Sequence, residues 1–163
     1  MVRGAAFLII MADANLLIKL VENRSDQRIF YQYFEKNEAV LALPTPAIAE
    51  FLVRDDNFDR SDYLTKINNF TQVFDFDLKS AHFSAQVYRR LEKSNDYTFK
   101  RETKQKVKVD IQIIGMILAN QIPKIFTGDT GIAEIVRVLN LSIEVVDVEQ
   151  ENELFDLPLF QDL

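Results

Sequence analysis

"AFLIIMADANLLIKLVEN", residues 6–23, decides how the rest of the chain is read. Residues 6–12 are apolar without interruption and stop at Asp13. A short unbroken apolar run predicts a strand buried on both faces, as in a parallel sheet. "NLLIKLVEN", 15–23, then reads as a helix. Strand, carboxylate and helix follow one another directly, and α/β sheets place their sites at the carboxyl ends of their strands.

The same alternation continues along the chain. Ser25 or Asp26 is expected to cap a helix to about Asn37. "AVLAL", 39–43, is a second buried strand, after which Thr45 and Pro46 are expected at the cap and first position of a helix. Residues 60–70 have a helical pattern. "QVFDF", 72–76, predicts a short strand, and residues 78–93 an amphipathic helix. A polar, basic loop is expected over 94–105, leading into a helix over 107–121 that Pro123 ends. "KIFT", 124–127, is a strand, residues 131–140 a helix and 143–147 a last strand. The expectation is an α/β fold with a mainly parallel sheet of four or five strands.

The composition narrows the chemistry. The 163 residues, 48% apolar and 27% charged, suit one folded domain. There is no Cys, and His82 is the one His. Thiolate zinc sites, Cys nucleophiles and disulfides are therefore excluded, and His82 has the surroundings of an ordinary helix residue. Any metal would be held mostly by oxygen, which favours Mg²⁺ or Mn²⁺ over Zn²⁺. The net charge is −6, but Lys100, Arg101, Lys104, Lys106 and Lys108 cluster against Glu102 alone. A local basic stripe of this kind serves phosphate contacts despite an acidic average. The first residues carry Arg3, an apolar run and an Ala12-x-Ala14 pattern, yet the run is short for a secretion signal. No stretch is long enough to span a membrane. A cytoplasmic location is expected.

Four acids recur at one level of this layout. Asp13 and Asp129 follow strands. Glu50 lies in the helix after the second strand. Asp110 opens the helix "VDIQIIGMILAN", 109–120, and at about 100° per residue it falls inside the apolar sector. Taken singly, each has a structural use as a turn, a cap or a partner of the helix dipole. In a right-handed α/β layout all four can converge at one edge. Four carboxylates together repel unless some are protonated or a cation intervenes. A hard divalent cation would then orient a water and stabilise charge on a phosphoryl oxygen, the chemistry of phosphate-ester hydrolysis.

These residues resemble the PIN-domain family of metal-dependent ribonucleases, which includes VapC-type toxins of toxin–antitoxin pairs. The resemblance rests on Asp13-Ala14-Asn15 after the first strand, Glu50 in "PAIAEFL", Asp110 in "KVDIQIIGMILAN" and Thr127-Gly128-Asp129 in "KIFTGD". The order matches over roughly residues 5–147. Ala14 stands where the family commonly has a hydroxyl residue, and Thr130-Gly131 where it often has an acid and an aromatic. The resemblance implies a three-layer α/β/α sandwich with a PIN-like nuclease domain over 1–147. It implies a catalytic metal set of Asp13, Glu50, Asp110 and Asp129 holding Mg²⁺ or Mn²⁺, with Asn15 and Thr127 as supporting polar residues. It also implies an RNA substrate, an antitoxin protein and a homodimer as partners. Lys100, Arg101, Lys104, Lys106 and Lys108 would hold the RNA backbone, and Tyr97 and Phe99 could stack on bases. The acidic and apolar tail, 148–163, is expected to pack on the same domain.

Two other readings compete. One is a PIN-like module that binds RNA or protein without catalysis. The other is an aspartate-nucleophile phosphatase using Asp75 and Asp77 of "VFDFDLK", which leaves Asp13, Glu50 and Asp110 without a role.

Overall fold

The computed structural model describes residues 8–56, 58–95 and 104–148, with the backbone alone for 104–106. Strands β1 (Leu8–Ala12), β2 (Ala39–Pro44), β3 (Thr71–Phe74), β4 (Lys124–Thr127) and β5 (Glu144–Asp147) form one all-parallel sheet in the order β3-β2-β1-β4-β5. The first strand in sequence is thus the central one. Ile10, Met11 and Ala12 of β1 are fully buried, and the edge strand β3 leaves Gln72 and Val73 exposed. Double-sided burial explains the unbroken apolar run of residues 8–12.

The helices are α1 (Ala14–Glu22), α2 (Arg24–Lys36), α3 (Thr45–Leu52), α4 (Asp59–Lys66), α5 (Leu78–Lys93), α6 (Lys104–Asn120) and α7 (Thr130–Val138). They complete a three-layer α/β/α sandwich. Phe30 and Phe34 of α2 meet Phe126 of β4 at ring-centroid distances of 5.8 and 6.4 Å, so aromatic packing ties α2 to the sheet. The helices α5 and α6 approach closely because Gly115 has no side chain. A β-carbon there would run into Ser84 Oγ and stand 2.7 Å from the Ser84 nitrogen and 2.9 Å from the Ser80 carbonyl oxygen.

Several local expectations need correction. Asn23, not Ser25 or Asp26, caps α2, and its side chain accepts from the nitrogens of both. Asp26 is instead buried. Thr45 does not cap α3. Pro44 occupies that position, and the Thr45 hydroxyl accepts from Phe76 N at 3.1 Å, linking α3 to the end of β3. The helix α6 begins at Lys104. Lys104 therefore opens the helix rather than lying in the expected loop over 94–105, and Lys106 and Lys108 follow it in the first turns, as the helix propensity of Lys permits. Residues 1–7, 96–103 and 149–163 lie outside the described residues, and with them Tyr97, Phe99, Lys100, Arg101 and the tail.

Candidate functional site

Parallel register sets up the site. Ala12 of β1 is level with Phe126 of β4, so Asp13, just past β1, and Thr127, the last residue of β4, stand side by side. Asp13 caps α1, and its Oδ1 accepts from Leu16 N at 2.8 Å. Its Oδ2 accepts from the Thr127 hydroxyl. Thr127 Oγ1 accepts in turn from Asp129 N at 2.8 Å. Asp129 caps α7, with Oδ1 accepting from Gly131 N at 2.7 Å. One chain of hydrogen bonds thus runs from α7 through Thr127 to Asp13.

Asp110 reaches the same place from α6. A β-carbon on Gly131 would stand 2.7 Å from Asp110 Oδ2 and 3.0 Å from Asp129 Oδ1. The two carboxylates flank the same small gap. Asp110 is buried, with 6% of its surface exposed, and so is Asp13 at 3%. The apolar sector containing Asp110 packs as Ile111, Ile113, Ile114 and Ile117, all buried. That packing fixes the helix and hence the carboxylate.

Glu50 sits on α3, which packs against both α1 and α6. Its side chain is exposed, yet its charge reaches Asp13. Burial raises the Asp13 pKa most, the Thr127 and Leu16 hydrogen bonds lower it, and the charges of Asp129 and Glu50 raise it again, to about 6. The structure thus brings Asp110 beside Asp129, links Asp129 through Thr127 to Asp13, and puts Glu50 near enough for its charge to act on Asp13. Among the described residues no three of them close into a ready-made ligand set. Mutual repulsion and the hydrogen bonds already holding Asp13 favour such spacing.

The supporting residues divide. Thr127, 1% exposed, touches Asp13 directly. Asn15 lies in the first turn of α1 and is half-buried. Lys108 is exposed on α6, two residues before Asp110. His82 is an exposed residue of α5. Asp77 caps α5, its Oδ1 accepting from Ser80 N at 2.8 Å, and its pKa is lowered chiefly by the Ser80 hydrogen bonds. It stands after the edge strand β3, so Asp77 has a structural use as a helix cap, apart from the four acids.

Two contributors escaped the sequence reading. Gly131 leaves the gap between Asp110 and Asp129, and the only signal for it was a glycine early in a helix. Lys19 donates to the Val148 carbonyl oxygen at 2.7 Å, while Val148 N donates to the Thr127 carbonyl oxygen at 3.0 Å. These bonds hold the chain after β5 against α1 and β4, and no local pattern announces them.

No family model and no curated protein matches the chain. Solved structures do. A chain of VapBC2 from Rickettsia felis, solved bound to a DNA fragment from their promoter, is 15% identical with a TM-score of 0.63, over 85% of this chain and 98% of that one. A chain of DNA-bound VapBC from Salmonella typhimurium is 17% identical with a TM-score of 0.56, over 86% and 98%. The all-parallel sheet and its three-layer arrangement agree with this likeness, and the chain has a PIN-like, VapC-type fold.

Proposed function

We propose that this protein is a divalent-metal-dependent endoribonuclease that hydrolyses RNA phosphodiester bonds, acting as the toxin of a toxin–antitoxin pair. The observation that carries the reading is the pair Asp110 and Asp129 at the Gly131 gap, joined through Thr127 to the buried Asp13, with Glu50 acting on Asp13 from α3. The donor set is all oxygen and the gap is one a β-carbon would fill, which suits a hard cation such as Mg²⁺ or Mn²⁺.

Asp13, Glu50, Asp110 and Asp129 would hold that cation. When bound, it supplies charge neutralisation among the carboxylates, a more acidic water and stabilisation of charge on the phosphoryl group. The chain's own residues prepare the place. Thr127 and Leu16 N fix both oxygens of Asp13. Asp13, with its pKa near 6, holds a proton part of the time close to neutrality, and ligation requires that proton to leave Oδ1 or Oδ2. The apolar packing of α6 keeps Asp110 from swinging out of reach. Lys108, with Lys104, Lys106, Lys100 and Arg101, would bind the RNA backbone and orient it toward the acids.

The likeness to VapBC chains supports a small antitoxin protein as partner, and the same reading takes a second copy of the chain as a further partner. Among the described residues no helix is long and apolar enough to cross a membrane.

The test is cleavage of end-labelled RNA by the purified chain. Cleavage should require Mg²⁺ or Mn²⁺ and stop in EDTA, and Asp110→Asn should abolish it while circular dichroism stays unchanged. Full cleavage in EDTA, or by Asp110→Asn, rules the reading out. RNA binding with neither cleavage nor metal dependence would make the chain a binding module instead.

A further inference from the structure

At the opposite, amino edge of the sheet lies a cleft of about 540 Å³, lined by Tyr31, Phe34 and Phe70 and by Glu35, Glu38 and Lys66, with Ala39 and Val40 of β2 at its base. This volume lies in the range of small-molecule sites. The aromatic floor is fixed. Tyr31 packs on Phe70 at 4.8 Å between centroids, Phe34 on Phe70 at 5.6 Å, and the Tyr31 hydroxyl donates to that of Tyr63 at 3.2 Å.

The electrostatics of the cleft have a sign. Glu35 and Glu38 stand at the carboxyl end of the 13-residue helix α2, where the helix dipole is already negative and acids are unfavourable. Glu38 also has φ 48°, a left-handed backbone that glycine or asparagine adopts at less cost. The chain thus keeps a carboxylate where both dipole and backbone disfavour it. Lys66 answers this charge in part, but it ends α4, whose own negative terminus it faces.

We propose that this cleft binds an amphipathic organic cation: an ammonium group seated by Glu35, Glu38 and the end of α2, on an apolar or aromatic body lying over Tyr31 and Phe70. A cation over these rings gains from their quadrupoles as well. The site is separate from the four acids and stands whether or not the chain cleaves RNA.

Titration of the full chain with phenethylammonium, followed by NMR of the aromatic rings, tests it. Saturable shifts at Tyr31, Phe34 and Phe70 are expected, with 3-phenylpropionate, the anionic counterpart, binding at least about tenfold more weakly. Glu38→Asn suits the left-handed backbone, so it should keep or raise Tm while weakening the amine about tenfold. Absence of saturable ring shifts, equal binding of the carboxylate, or unchanged amine affinity in Glu38→Asn overturns the proposal.

Discussion

The Thr127 hydroxyl donates to Asp13 Oδ2 and accepts from Asp129 N, so one side chain couples the ends of β1 and β4. Removing that hydroxyl takes away the strongest influence that lowers the Asp13 pKa. Thr127→Val should therefore move the Asp13 pKa above 6, toward weaker metal binding at neutral pH. Carboxyl titration by ¹³C NMR reads this directly, and a pKa that stays or falls contradicts the assignment.

The buried carboxylate of Asp13 costs stability when charged. Its pKa is about 6 in the folded chain against 3.8 for an ordinary Asp. The folded state therefore binds the proton more tightly, and stability is lost as pH rises from about 4 to 6. A shift of this size corresponds to about 3 kcal/mol at most. Asp13→Asn keeps the N-cap acceptor and removes the charge. In EDTA it should be more stable than the parent by about 1–3 kcal/mol above pH 6, with the difference vanishing below pH 4. Urea denaturation at the two pH values measures it.

Gly131→Ala separates site from fold. The inserted methyl meets the ends of the Asp110 and Asp129 side chains, not backbone. Stability should change by less than about 1 kcal/mol, since Ala favours a helix, while metal-dependent cleavage falls about tenfold or more as the acids are pushed apart. Tm and rate measured on one preparation decide the matter.

Gly115→Ala does the reverse. Its methyl would press on the Ser84 nitrogen and the Ser80 carbonyl, which cannot turn away. The cost is about 1–3 kcal/mol, and adding Ser84→Ala should not restore it. Full rescue in the double variant would show that the hydroxyl alone mattered.

The basic residues before Asp110 are tested by salt. Replacing Lys104, Lys106 and Lys108 with Ala should weaken RNA binding and flatten its dependence on salt, because fewer counterions are released. An unchanged slope removes this turn of α6 from the interface.

The sequence made strands and acids visible for different reasons. Buried parallel strands must be apolar on both faces, so β1, β2 and β4 stood out as runs, and β4 was placed at its observed ends. Asp110 was legible because a carboxylate within an apolar sector has few structural uses. Caps were harder to place. Asn23, Ser25 and Asp26 are all good capping residues, and only the backbone path selects Asn23. Gly131 was illegible because its role lies in what it omits. The gap it leaves exists only once Asp110, 21 positions earlier in the chain, is brought beside it by α6 and α7.

The central position of β1 also orders events in time. Asp13 and Thr127 are separated by 114 positions, so a chain emerging from the ribosome shows its first acid long before the partner that anchors it. The central strand can pair with β2 early, but its other edge stays open until β4 has been made. An interrupted product carries a capped α1 but no paired carboxylates. A molecule assembled this way stays chemically incomplete until β4 has been synthesised.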